Sequence, residues 1–139
     1  MKFQLNPYLM FNGQCKSALK FYEQCLGAKI ETMMTYGKSP MAEETPPESR
    51  NNIMHAHFTV NNQDLMASDC PPEQYEQPKG FSVLLGTDNP TEAERLFHAL
   101  AENGTVQMPI QETFWAARFG MVVDQFGIPW MINCEPATT

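Results

Sequence analysis

Two stretches decide the fold: Gln14-Cys15-Lys16-Ser17-Ala18-Leu19-Lys20-Phe21-Tyr22-Glu23-Gln24-Cys25-Leu26-Gly27 and Asn89-Pro90-Thr91-Glu92-Ala93-Glu94-Arg95-Leu96-Phe97-His98-Ala99-Leu100-Ala101. In the first, Ala18, Phe21, Tyr22, Cys25 and Leu26 recur at i, i+3, i+4, i+7 and i+8; in the second, Ala93, Leu96, Phe97, Leu100 and Ala101 do the same. A stripe of that period predicts an amphipathic helix packed by one face. Gly27 stops the first, while Asn89-Pro90 offers the second an N-cap and a first-turn proline before it ends at Asn103-Gly104. Phe21 and Leu96 stand 75 residues apart, so the chain reads as two copies of one unit.

Working outward, each helix follows a short apolar run, Tyr8-Leu9-Met10-Phe11 or Phe81-Ser82-Val83-Leu84-Leu85, that predicts a strand. Three further strand-like stretches come after each helix: Lys29 to Tyr36, Ile53 to Val60 and Asp64 to Asp69, then Thr105 to Ile110, Arg118 to Val123 and Ile128 to Cys134. Asn61-Asn62 and Phe126-Gly127 supply the tight turns of two hairpins. Both halves therefore read βαβββ, an α+β arrangement. Module 1 covers about residues 1–70 and module 2 about 81–139. The stretch 71–80 links them, because Pro71, Pro72 and Pro78 deny it regular structure. A second irregular stretch, Gly37 to Asn52, is longer than most connections in a compact domain; such loops are lids or simply mobile.

The 139 residues suffice for one ordinary domain. Sixteen acidic against nine basic residues give a formal charge of −7, which repels phosphate backbones and anionic lipid surfaces. Nucleic acid and membrane are thus not expected partners. No apolar run approaches the ~20 residues that span a bilayer, and the first residues lack a secretory pattern, which points to the cytoplasm. Cys15, Cys25, Cys70 and Cys134 are scattered without a Cys-x-x-Cys pair and are expected to be reduced, small buried hydrophobes.

Specific strings narrow the family. Ala18-Leu19-Lys20-Phe21-Tyr22 with Leu26-Gly27-Ala28, Met54-His55-Ala56, Leu65-Met66-Ala67-Ser68-Asp69, Gln111-Glu112-Thr113-Phe114-Trp115, and Asp124 through Asn133 resemble the PhnB-like branch of the vicinal oxygen chelate superfamily. Glyoxalases, bleomycin-resistance proteins and extradiol dioxygenases belong to that superfamily. The resemblance covers nearly the whole chain and implies a single domain, 1–139, of two tandem βαβββ modules. It further implies cupped mixed sheets and a homodimer whose modules complete the cavities.

In metal-dependent relatives, four ligands come from the first and last strands of both modules. By register these fall here on Asn6 or Pro7, Met66, Ser82 and Met131, and none is a good ligand for a divalent cation. No metal and no other cofactor is expected. There is neither a Gly-x-Gly-x-x-Gly nor a Walker-type sequence, so nucleotide cofactors lack a motif. Relatives in this branch carry a 3-demethylubiquinone methyltransferase label, for which the repeat pattern offers no doubly wound sheet with a glycine-rich first turn.

His55 and His57 are spaced to share one face of a strand, and with Thr59 they point away from the helix, toward cup or solvent. His55 is the candidate acid–base group, expected to face the cup; it is alternatively a hydrogen-bonded structural histidine, and the pair is also the start of a metal site that nothing nearby completes. His98 falls outside its helix's apolar stripe and is expected to be exposed. Tyr8, Trp115, Trp130 and Met131 are candidates for the apolar wall of a small-molecule site, with Phe114 beside them, or for core packing. Glu112 and Arg118 bracket Trp115 and either orient a polar ligand or pair with each other. Asp69 either accepts a ligand's hydrogen bond or caps the Pro-rich turn that follows.

The leading expectation is a small-molecule-binding protein without the usual metal site. The alternatives are an enzyme, lyase- or isomerase-like, that uses His55 on a small carbonyl metabolite, and a phosphonate-metabolism accessory suggested by the branch's name alone.

Overall fold

A computed structural model of the chain describes residues 2–136. The chain parts into two compact units between Glu76 and Gln77, inside the proline-rich link. Each unit is one four-stranded mixed sheet with one helix, so the fold is α+β with two βαβββ modules, as the repeat predicts.

In the first unit, β1 (Tyr8–Phe11) leads to α1 (Cys15–Leu26), then β2 (Lys29–Thr35), β3 (Ile53–Val60) and β4 (Gln63–Asp69). The sheet order is β1-β4-β3-β2, with β1 and β4 parallel and the remaining pairs antiparallel. α1 buries Cys15, Ala18, Leu19, Tyr22 and Cys25. Leu19 joins the stripe in place of Phe21 and Leu26, which are half-buried, because the sheet accepts a slightly rotated face. On the sheet side Leu9, Phe11, Ala56, Phe58, Leu65 and Ala67 meet it, with Tyr22 stacked on Phe58 at 6.1 Å between ring centroids. Gly27 takes the left-handed conformation at φ 67°, and its N–H and that of Ala28 close on Glu23 and Tyr22. Asn61 and Asn62, at φ 52° and 66°, form the β3–β4 hairpin turn, where asparagine tolerates positive φ better than most residues.

In the second unit, β5 (Val83–Thr87), α2 (Pro90–Ala101), β6 (Thr105–Gln111), β7 (Arg118–Val123) and β8 (Pro129–Cys134) repeat the plan in the order β5-β8-β7-β6. Asn89 caps α2 by accepting from the amides of Thr91 and Glu92 at 2.9 and 3.2 Å. Ala93, Phe97 and Leu100 are buried on the sheet. β5 begins two residues later than the apolar run suggests: Phe81 is exposed and Ser82 lies outside the strand, while Val83, Leu85 and Thr87 pair with Trp130, Ile132 and Cys134. Gly120 lets α2 approach β7 closely, since a Cβ there would stand 2.8 Å from the Phe97 ring.

The long connection between β2 and β3 is folded back on itself. Its ends are joined by bonds from Tyr36 N to Asn52 O and Gly37 N to Arg50 O. Three short 3-10 turns, Tyr36–Lys38, Ala42–Glu44 and Pro47–Ser49, fill it. Ser39 Oγ donates to Tyr36 O, Thr45 Oγ1 to Met41 O and Arg50 Nε to Thr45 O. It is a self-bonded surface loop.

Candidate functional site

Strand alternation divides each sheet into a face buried under its helix and an open face. On the open face of the first unit, Tyr8 of β1 stands opposite Met66 of β4, which stands opposite His57 of β3. Met10 lies beside Tyr8, and Met34 of β2 stands opposite His55. The Tyr8 hydroxyl crosses β4 to meet His55 Nδ1 at 3.1 Å, with the two rings tilted and their centroids 5.8 Å apart. A polar pair therefore sits among Met10, Met34 and Met66. Tyr8 remains 44% and Met10 53% exposed.

His57 is committed differently. Its Nε2 lies 2.7 Å from Asp64 Oδ1, and Asn6 Nδ2 donates to the Asp64 carbonyl at 3.2 Å. An ionised carboxylate only accepts, so the proton of that contact belongs to Nε2. The two histidines share a face, as their spacing predicts, but have separate partners.

Asp69 turns the other way. Only 1% exposed, it accepts the amide of Cys15 on Oδ1 and that of Ile53 on Oδ2, both at 2.9 Å, and its carbonyl accepts from Tyr36 Oη at 2.9 Å. It therefore closes the start of α1 and of β3 instead of capping the Pro-rich turn. Burial first, then the Asp69 charge, pushes the Cys15 thiol far up. The Tyr36 hydroxyl is also raised, by burial and then by Asp69, Tyr8 and Cys70.

In the second unit the open face carries Leu84 opposite Met131, with Met121 and Met108 continuing the row across β7 and β6. Trp115 contacts Phe119 edge to face at 5.5 Å and Phe114 at 4.7 Å. Glu112 is exposed beyond β6. Two expectations need correction here. Trp130 points to the helix side, 1% exposed, where its Nε1–H donates to Asp124 Oδ2 at 2.8 Å, so it is a core residue. Arg118 pairs with Glu94 of α2 through Nε at 3.0 Å, not with Glu112, and so is turned away from the open face. His98 is exposed, bonded to Glu94 at 3.2 Å.

Of the eight candidate ligand-binding residues, Tyr8 and His55 come together, while Trp115 and Met131 belong to the second unit. Sequence reasoning missed Met10 and Met34; period-2 alternation with Tyr8 and cross-strand register with His55 are the signals that find them.

The donor set does not fit the metal of the superfamily's metal-dependent members. The first-strand positions opposite Met66 and Met131 are Tyr8 and Leu84, which follow the expected Asn6 or Pro7 by two or one residues and Ser82 by two. Phenol, alkyl and thioether groups are poor donors for hard or borderline cations. Among the described residues, no three His, Cys, Asp or Glu side chains gather to hold an ion.

With this geometry in place, comparison with known proteins becomes specific. A family model described as 3-demethylubiquinone-9 3-methyltransferase matches residues 3–133. Protein YjdN of Escherichia coli K12 is 37% identical over 137 residues, covering 93% of each chain. The crystal structure of protein PA1353 from Pseudomonas aeruginosa is 50% identical, covers 96% of this chain and 98% of its own, and superposes with a TM-score of 0.87. A putative 3-demethylubiquinone-9 3-methyltransferase, PhnB protein, from Bacillus cereus is 25% identical, with 95% and 99% coverage and a TM-score of 0.81. The fold alone extends further: a glyoxylase/bleomycin resistance protein/dioxygenase domain from Frankia superposes at 0.68 with 11% identity over 98% and 99% of the two chains. The chain belongs to the family whose model is named for 3-demethylubiquinone-9 3-methyltransferase, the PhnB-like branch of the vicinal oxygen chelate superfamily.

Proposed function

We propose that this protein binds a small organic molecule on the open face of its first unit, with the Tyr8/His55 pair as polar anchor. The observation that carries this reading is the pair itself: two hydrogen-bonded polar groups, 3.1 Å apart, set among three methionines on a half-exposed sheet face. Small-molecule sites are mostly apolar with a few convergent polar groups, and methionine adapts its shape to varied ligands. The net charge of −7 and the nearby Asp64 carboxylate disfavour anions there.

Methyl transfer, which the family's name denotes, would need a cradle for S-adenosylmethionine. Doubly wound folds build such cradles from a glycine-rich turn and a free helix N-terminus. Here both sheets are mixed and four-stranded, the first amide of α1 is taken by Asp69, and Asn89 takes those at the start of α2. Binding is the reading these features favour. The protein is further proposed to work in the cytoplasm as a homodimer, without nucleic acid; among the described residues no helix is long and apolar enough to cross a membrane.

A thermal-shift screen of neutral organic fragments, followed by calorimetric titration of the hits against wild type and His55→Ala, tests the reading. Hits that lose affinity severalfold in the variant support it. Hits whose affinity ignores His55 overturn it.

A further inference from the structure

The two histidines of β3 are held by different ring nitrogens. In a histidine Nδ1 sits close to Cβ and Nε2 at the far tip of the ring, so the tip is what a strand side chain offers to a molecule above the sheet. In His57 the tip is taken, since Nε2 lies 2.7 Å from Asp64 Oδ1. In His55 the inner nitrogen, Nδ1, meets the Tyr8 hydroxyl at 3.1 Å. Among the described residues, Nε2 of His55 has no hydrogen-bond partner. The open face of the first unit thus carries one engaged imidazole tip and one open one.

The bond to Tyr8 also decides where the hydrogen of the His55 ring lies. A phenol is a stronger acid than the N–H of a neutral imidazole, and an imidazole nitrogen is a stronger base than a phenol oxygen. The better donor meets the better acceptor when the Tyr8 O–H points at Nδ1. The ring's own hydrogen is then left on Nε2, because the bond made by one ring nitrogen sets the state of the other. Nε2 leaves the ring on the side away from Tyr8. In the order β1-β4-β3-β2 that side is the β2 flank, where Met34 stands opposite His55. Carboxylates of neighbouring strand positions are engaged elsewhere, Asp64 by His57 and Glu31 by Lys29 at 3.7 Å.

We infer that Tyr8 is a positioning residue that holds His55 as its Nε2–H tautomer, and that the open face of the first unit therefore selects neutral molecules bearing a hydrogen-bond acceptor, such as ketones and esters. This rests on the binding reading above and adds to it the ligand's chemistry and the separate tasks of the two residues. His55 meets the ligand with a single N–H donor beside the Met34 thioether, while Tyr8 fixes the ring from behind. A ligand that only donates finds no lone pair on Nε2. One net hydrogen bond to an acceptor is worth roughly fivefold in affinity.

The test has two parts, both on the full chain. Long-range proton–nitrogen NMR of the neutral His55 ring reports which nitrogen carries the hydrogen: Nε2 alone is expected in the wild type and a mixture in Tyr8→Phe. Hydrogen on Nδ1 in the wild type overturns the inference. The protein is then titrated with cyclopentanone, methylenecyclopentane and pyrrole, followed through the imidazole C–H resonances of His55. These rings are alike in size, and the first only accepts, the second does neither, and the third only donates. Expected is cyclopentanone binding roughly fivefold tighter than the other two, with the preference reduced in Tyr8→Phe, where the imidazole is free to turn. Equal affinities, tightest binding of pyrrole, or a preference unchanged in Tyr8→Phe overturn the inference and leave small-molecule binding intact. If neither these three nor other neutral fragments move His55, the binding reading fails, and the selectivity inferred from it fails with it.

Discussion

Trp130 donates its indole N–H to the Asp124 carboxylate at 2.8 Å, inside the core of the second unit. The other oxygen of Asp124 accepts the amides of Phe126 and Ile128 at 2.8 and 3.1 Å, so one buried side chain shapes the β7–β8 turn and fixes the tryptophan. Asp124→Asn must turn an amide NH2 toward the indole N–H or toward the turn amides, setting donor against donor. The expected cost is about 1.5–3 kcal/mol, read as a lower urea midpoint with an unchanged slope. Trp130→Phe is expected to be destabilising in the same range, without effect on ligand affinity.

Asp69 plays the corresponding part in the first unit by holding the amides of Cys15 and Ile53. Asp69→Ala strands two buried donors and is expected to cost about 3 kcal/mol in chemical denaturation. A ligand-binding role would instead appear as lost affinity at unchanged stability.

The thiols should separate by reactivity. Burial and the Asp69 charge push the Cys15 thiol far above the usual range, and Cys70 is raised by burial, with Asp69 and Glu73 adding to it. A raised thiol holds less thiolate, the reactive form, at any given pH. With an aromatic disulfide reagent near neutral pH, half-buried Cys70 is expected to react ahead of Cys15, and both far more slowly than after unfolding. Rapid modification of Cys15 in the native state would contradict this.

Tyr36 provides an alkaline signature. Its hydroxyl is raised by burial first, and donates to the Asp69 carbonyl. Because the folded value lies above the unfolded one, its contribution to stability is complete below about pH 10 and is lost as pH rises through the folded value. The phenolate absorbance of wild type minus Tyr36→Phe should therefore show a tyrosine ionising later than free phenol, and the stability gap between the two proteins should narrow above that pH.

Substitutions on the open face should behave in the opposite way from those in the core. Tyr8 and His55 are only partly covered and bond to each other, so Tyr8→Phe and His55→Ala are expected to change stability by about 0.5 kcal/mol or less. Their effect belongs to affinity, measured by calorimetry on the same samples.

The fold was legible because its signals are local and occur twice. The stripes of α1 and α2, the cap at Asn89, the stop at Gly27 and the turn at Asn61-Asn62 each act within a few residues. The site was legible only as a list of chemical types. Asp69 reaches Cys15 across 54 residues and Arg118 reaches Glu94 across 24, and no local pattern encodes such pairings. Trp130 looked like a pocket wall because an aromatic residue fits either side of a sheet; only the strand register puts it under α2 with Met131 on the open face. Tyr8 and His55 meet only once β4 is inserted between β1 and β3, a topological fact that lies beyond the spacing of either strand. Phe81 misled the start of β5 by being apolar and exposed at once.

The ten methionines make the central claim directly measurable, since their methyl carbons report which sheet face a ligand touches. A methyl-resolved NMR titration with the hits of the neutral-fragment screen is expected to shift Met10, Met34 and Met66 together, and to need severalfold higher fragment concentrations to do so in His55→Ala. Shifts confined to Met108, Met121 and Met131, or equal shifts in the variant, would place binding elsewhere and contradict the account.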